Sequence, residues 1–191
     1  MFLLEDITQI NIGIVLKRKE AMYKSKDTND YKIFNLKNYE EKIEYEDFYS
    51  QENLHNYIAK KGDLLFRLAF PIKIIEVDDE IEGLLINNQY CIIRMCDFNN
   101  LTYNIDFVKW FLESDRTKNQ LERYLIGTSV KTVPVAKLRK LKIPAVSAEK
   151  QKKLSSLINN WDRQKILYTK IIKEKDNYYN AIITKIIEGE E

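Results

Sequence analysis

The sequence predicts an α+β protein: a globular domain with a curved mixed sheet, followed by one long C-terminal coiled-coil helix. Three observations predict it. Up to residue 146, short Ile- and Val-rich runs alternate with turn residues and with two stretches of helical spacing. From residue 147 apolar residues recur in steps of four and three, with no Gly or Pro until Gly189. The 191 residues, 45% of them hydrophobic, suffice for one core of ordinary size and an appendage. The expected organisation is a domain over 1–146, a helix over 147–188 and a tail over 189–191.

The strand signals come first. "TQINIGIVL" has strand character, and "DYKIFNL" puts Tyr31, Ile33 and Asn35 on one side and Lys32, Phe34 and Leu36 on the other. "GDLLFRLAF" is an apolar run opened by a Gly-Asp turn and ended by Pro71; "IKIIEV" and "YCIIRM" are rich in β-branched residues. Two helical stretches follow. Ile105, Val108, Phe111 and Leu112 share one helical face, as do Leu121, Tyr124 and Leu125. Gly127 reads as the C-cap of the second helix, delivering Thr128, Ser129 and Lys131 as an exposed loop.

The long helix begins at Ser147, a capping residue, with Glu149 near its positive end. Its stripe runs Leu154, Ile158, Trp161, Lys165, Tyr168, Ile172, Lys175, Tyr179, Ile182, Ile186. Leu157, Ile171, Tyr178, Ile183 and Ile187 broaden it. A helix of about 40 residues spans roughly 60 Å, whereas the preceding domain has an expected radius of gyration of about 15 Å. Most of the stripe must therefore meet another helix.

The net charge of +2 hides segregation. Residues 123–148 hold six bases (Arg123, Lys131, Lys137, Arg139, Lys140, Lys142) and no acid. Residues 17–26 hold Lys17, Arg18, Lys19, Lys24 and Lys26 against Glu20 alone. By contrast, 76–82 ("EVDDEIE") carries five acids, and 40–47 is also acidic. One side is then suited to phosphate. Cys91 and Cys96, five apart on a strand, fall on opposite faces and read as core or half-buried thiols. His55 is the single histidine, so no His-based metal cluster can be assembled. No apolar run reaches the length of a membrane span, and the acidic opening "MFLLEDITQI" is unlike a signal peptide; the expected location is the cytoplasm. No Walker loop is present, and the five glycines never form GxG.

Taken in order, "KKGDLLFRL", "YCIIRM", the run from "FVKWFLESD" to "KLSSLI" and the long helix resemble the specificity (S) subunit of type I restriction–modification enzymes. The shared positions are Gly62-Asp63, Ile92-Ile93-Arg94, Leu112, Gly127-Thr128, Leu138, Leu141, Ile143-Pro144, Gln151 and Leu154. Departures are "RLAFPIK" where the family has a Gly-rich turn, Val146 in place of a second proline, and Lys150 before Gln151. The resemblance implies a non-catalytic protein with one target recognition domain where a full S subunit has two. It implies double-stranded DNA, a second copy of itself, and the methyltransferase and restriction subunits as partners. It implies no cofactor of its own, with S-adenosylmethionine and ATP held by those partner subunits. The expected DNA-facing residues are Lys17, Arg18, Lys19 and Lys24, then Arg67 and Lys73, then Thr128, Ser129 and Lys131. The expected dimer seam is Leu154, Ile158, Trp161, Tyr168, Ile172, Tyr179, Ile182 and Ile186. Two other readings stand beside it: a metal-dependent nuclease using Asp30, Glu40 and Lys42, and a coiled-coil adaptor with no role on DNA.

Overall fold

A computed structural model describes residues 1–21, 27–36, 43–96, 103–127 and 130–188, with the side chains of Arg18, Leu36, Ile43 and Glu44 left out. The apolar runs become a four-stranded sheet. β1 (Phe2–Leu3) lies outside it; β2 (Thr8–Ile12), β5 (Leu64–Arg67), β6 (Ile74–Glu76) and β7 (Tyr90–Met95) form it in the order β2-β7-β5-β6. All its ladders are antiparallel. β3 (Asn29–Leu36) and β4 (Ile43–Ser50) form a separate antiparallel pair. The parallel component of the fold consists of isolated bridges, Ile14 with Asn87 and Ile33 with Leu85.

Strand periodicity of two explains why the central runs are continuously apolar. Leu64, Phe66, Cys91 and Ile93 face one core, and Leu65, Tyr90 and Ile92 face a second. The first core is closed by α1 (Ile105–Glu113), α2 (Asp115–Glu122) and α3 (Val135–Arg139), which supply Phe107, Val108, Leu112, Leu121 and Leu138. β8 (Lys142–Ile143) pairs with β1 and tucks Ile143 into the same core. The β3 alternation does not separate a wet face from a dry one. Ile33 enters a third cluster with Phe48 and Leu54, while Phe34 enters the second. The 84–87 segment causes this: Phe34 N donates to Leu85 O and Leu85 N to Lys32 O, joining the β3–β4 pair to the rest.

Asn104 caps α1 by accepting from Asp106 N at 2.8 Å, and Ser114 caps α2 by accepting from Thr117 N at 3.4 Å. The second helix ends earlier than its spacing suggests. It closes at Arg123, which is αR, so Gly127 is not its C-cap. Gly127 sits instead in the turn bracketed by the Ile126–Thr132 bridge, at φ +112°, where a Cβ would come 2.3 Å from Val130 O. The basic stretch, expected as loop and strand, also holds the short α3, because Leu138 and Leu141 are both needed in the core.

The long helix α4 (Ala148–Glu188) has 41 residues. Ser147 O accepts from Gln151 N at 2.9 Å, and its hydroxyl lies 3.5 Å from Lys150 N. Gln151 is buried and pins the helix to the domain: its Oε1 accepts from Asn104 N and its Nε2 donates to Val146 O, both at 2.8 Å. Leu154 packs on the first core, Ser155 is buried, and Asn159 donates to Asp106 at 3.3 Å. Beyond Asp162 every residue of α4 is exposed except Ile182, which is half-buried. No helix among the described residues is long and apolar enough to cross a membrane.

Candidate nucleic-acid interface

Four chain segments meet at one end of the sheet, where β5 finishes at Arg67 and β7 starts at Tyr90. Their backbones are joined in sequence. Asn88 N donates to Ile14 O, Leu68 N to Gln89 O, Phe70 N to Lys131 O and Val133 N to Leu68 O, all at 2.9 Å. An Ala69–Thr132 bridge completes the seam. Gly13 is required on the first of these segments, since a Cβ there would stand 2.1 Å from Asn87 O. Phe70 and Lys131, from two of the loops expected to face DNA, are thus neighbours, and the 3-10 turn Leu16–Arg18 enters the group through Ile14.

The residues within this group divide. Lys17 and Lys131 are exposed and make no ion pair among the described residues. Lys19 is neutralised, its Nζ lying 2.5 and 2.6 Å from the two oxygens of Glu52. Arg67 is half-buried beside Tyr90, whose hydroxyl is pushed up by burial and eased back by that guanidinium. Lys73 closes the β5–β6 hairpin by accepting from Arg67 N, but its side chain lines a groove of about 740 Å³ along β6, with Glu76, Asp78 and Glu80. Lys61 and Lys109 line the same groove. Lys24, Thr128 and Ser129 lie outside the described residues, as do Glu40 and Lys42. Among the described residues no group of three His, Cys, Asp or Glu side chains gathers to hold a metal ion.

The sequence reading passed over the turn that organises the site. Asn88 and Gln89 are exposed between the Ile14 and Leu68 segments, and Phe70, Ile126 and Val130 are exposed large apolar side chains on the adjoining turns. The available signal was "NNQ" between two apolar runs: amides carry a donor and an acceptor together, as base-edge contacts require.

Charge follows the strand axis. The Leu64 end of β5 carries the acidic turn. There Asp78 Oδ1 accepts from Glu80 N and Ile81 N, and Lys61 is ion-paired with Asp79. The exposed bases Lys17 and Lys131 attach at the Arg67 end. Two bases of the acid-free stretch make contacts within the domain. Arg139 donates to Ile10 O at 2.8 Å, and Lys137 lies over the Tyr124 ring.

At the acidic end a buried clamp holds β5 to β7. Arg94 donates from Nε to Asp63 Oδ1 at 2.8 Å and from Nη2 to Asp63 Oδ2 at 2.7 Å, and Lys60 N donates to the same carboxylate at 2.8 Å. The hydrogen bonds to Asp63 hold the Arg94 guanidinium further above its usual range. Asp63, Arg94, Leu112, Leu138, Leu141, Ile143, Gln151 and Leu154 are among the positions that carry the family resemblance, and each of these eight clamps, packs or pins the frame.

Comparison with solved structures agrees with that frame. The whole chain superposes on the S subunit of a type I restriction–modification system from M. genitalium, with TM-score 0.62 and 12% identity. The chain has the fold of a type I specificity subunit. The HsdS subunit from Thermoanaerobacter tengcongensis matches over 91% of this chain with TM-score 0.62 and 16% identity. A chain from a structural study of complex assembly in the type I system matches over 92%, again with TM-score 0.62 and 16% identity. This chain spans 46%, 44% and 45% of those three chains, so it corresponds to about half of a specificity-subunit fold. No family model and no curated protein matches it.

Proposed function

We propose that this protein is the DNA-specificity component of a type I restriction–modification system, reading half of an interrupted site and directing methyltransferase and restriction subunits to it. The observation that carries the reading is the full-length likeness to S-subunit folds at about half their length. In this reading the loop group at the Arg67 end faces the DNA. Lys17 and Lys131 neutralise phosphates and set register, while Asn88 and Gln89 reach base edges. The protein acts in the cytoplasm, makes no covalent change to DNA itself and takes no cofactor.

The second half is a second copy. The stripe of α4 can pair with that of a second copy: a four-three series reads the same in both directions, so its ten positions can meet antiparallel about residue 170. Such a pair separates the two Leu154 anchor points by 32 residues of helix, roughly 48 Å at 1.5 Å per residue. The half-sites then lie about 14 base pairs apart, centre to centre, at 3.4 Å per base pair. An inverted repeat follows from the twofold.

Light scattering tests the pairing. Twice the chain mass of 22.8 kDa is expected, and Ile172→Lys is expected to give a folded monomer. A chain that stays monomeric at tens of micromolar, or an Ile172→Lys protein that stays dimeric, overturns it. Selection of bound duplexes from a random pool tests the reading of DNA. An enriched interrupted palindrome is expected, and no enrichment in the presence of the methyltransferase subunit refutes the specificity role.

A further inference from the structure

Leu68, Phe70 and Ile72 follow one another out of β5 and then part ways. Leu68 and Ile72 pack against the first core, whereas Phe70 is 48% exposed. Backbone bonds fix where that residue stands. Leu68 N donates to Gln89 O and Phe70 N to Lys131 O, so Phe70 lies between the Asn88–Gln89 turn and an exposed lysine. Of the eight large apolar side chains exposed among the described residues before α4, five attach at this end of the sheet: Ile12, Val15, Phe70, Ile126 and Val130. The exposed bases Lys17 and Lys131 attach at the same end, so this surface is at once cationic and apolar.

That combination selects the chemistry of its partner. Lysines pair with phosphates whatever the sequence. The amides of Asn88 and Gln89, exposed and without side-chain hydrogen bonds among the described residues, match the N6 and N7 edge of adenine. A phenyl ring offers neither donor nor acceptor, so beside such amides it recognises an apolar feature. In the major groove that feature is the C5-methyl of thymine, the base paired to adenine; the minor groove has no equivalent. Width favours the same groove. The Ile14, 88–89, 68–70 and 131–132 segments are hydrogen-bonded neighbours, and three steps of about 4.8 Å make the group roughly 14 Å across. That is close to a major groove of about 12 Å and over twice a minor groove of about 6 Å.

We propose that Phe70 is a specificity-determining residue, which packs on the methyl group of a thymine in the major groove beside the adenine edge taken by the Asn88–Gln89 turn. The inference rests on the DNA-specificity reading proposed above and assigns part of its half-site. At least one A·T pair is required there, and the strand that carries its methyl group sets its orientation.

Removing that methyl group alone tests it. The duplex is the one enriched by selection with the methyltransferase subunit present, and each thymine of one half-site is replaced in turn by uracil. At one position uracil should weaken binding about fourfold, the worth of one buried methyl group. Phe70→Ala should weaken binding to the thymine duplex by at least as much and bind the thymine and uracil duplexes equally, with unchanged circular dichroism. Uracil tolerated at every position, an enriched half-site without an A·T pair, or a Phe70→Ala protein that still prefers thymine overturns the methyl contact and leaves the specificity role standing. If the uracil scan is flat and Phe70→Ala still weakens binding, the ring acts as a wedge between base pairs instead. Selection that enriches no sequence overturns both readings.

Discussion

The Asp63–Arg94 clamp makes an asymmetric prediction about stability. The two partners differ in access to water: the Asp63 side chain is 3% exposed and that of Arg94 is 26% exposed. Arg94→Met strands a buried carboxylate with the Lys60 amide as its remaining donor, and breaking a buried pair in this way costs about 3–5 kcal/mol. Asp63→Ala strands a guanidinium that can turn to solvent and keeps its 3.3 Å bond to Ile58 O. The Lys60 amide it releases belongs to an exposed residue. The cost should be nearer 2 kcal/mol, the scale of charged hydrogen bonds exchanged for water. The double variant should then be more stable than Arg94→Met alone, because the stranded charge is gone. Urea unfolding followed by far-UV circular dichroism reads all three midpoints. Equal losses in the two single variants, or a double variant that sums them, would refute the claim that burial of Asp63 controls the clamp. Intact duplex binding by the folded fraction of each variant would separate this frame from the end proposed to face DNA.

Two further outcomes follow from the same geometry. Lys131→Glu should weaken binding to every duplex by a similar factor and lower the slope of log K against log salt by about 0.9 for the phosphate contact removed; a changed sequence preference at constant slope would assign Lys131 to a base instead. Burial pushes the Cys91 thiol up to about 12. At pH 8 a thiol reagent should therefore modify the half-buried Cys96 and spare Cys91 until the protein is unfolded, when both react; rapid labelling of both in the native state would contradict the packing of β7.

The sequence alone determined the features that follow from local periodicity. Continuous apolar runs bounded by turn residues located β5, β6 and β7, and the four-three spacing located α4 to within a residue of its start. These signals are strong because each element buries a repeating set of side chains, and repetition is visible along a chain. The resemblance motif was also legible, because frame residues such as Asp63 and Gln151 have side-chain bonds that few other residues can make. The tertiary structure decided what depends on residues distant in sequence. Ile33 and Phe34, on opposite faces of β3, are both buried because the 84–87 segment bonds to the strand there. Leu154 serves its own domain before it can serve a partner. Lys19 is ion-paired with Glu52 and Lys73 lines the groove along β6, while Asn88 and Gln89 are exposed on a turn with no periodicity to announce it. Charge and periodicity are properties of one dimension, whereas the candidate interface is assembled where four loops are tied together by backbone hydrogen bonds, and those bonds are indifferent to side-chain identity.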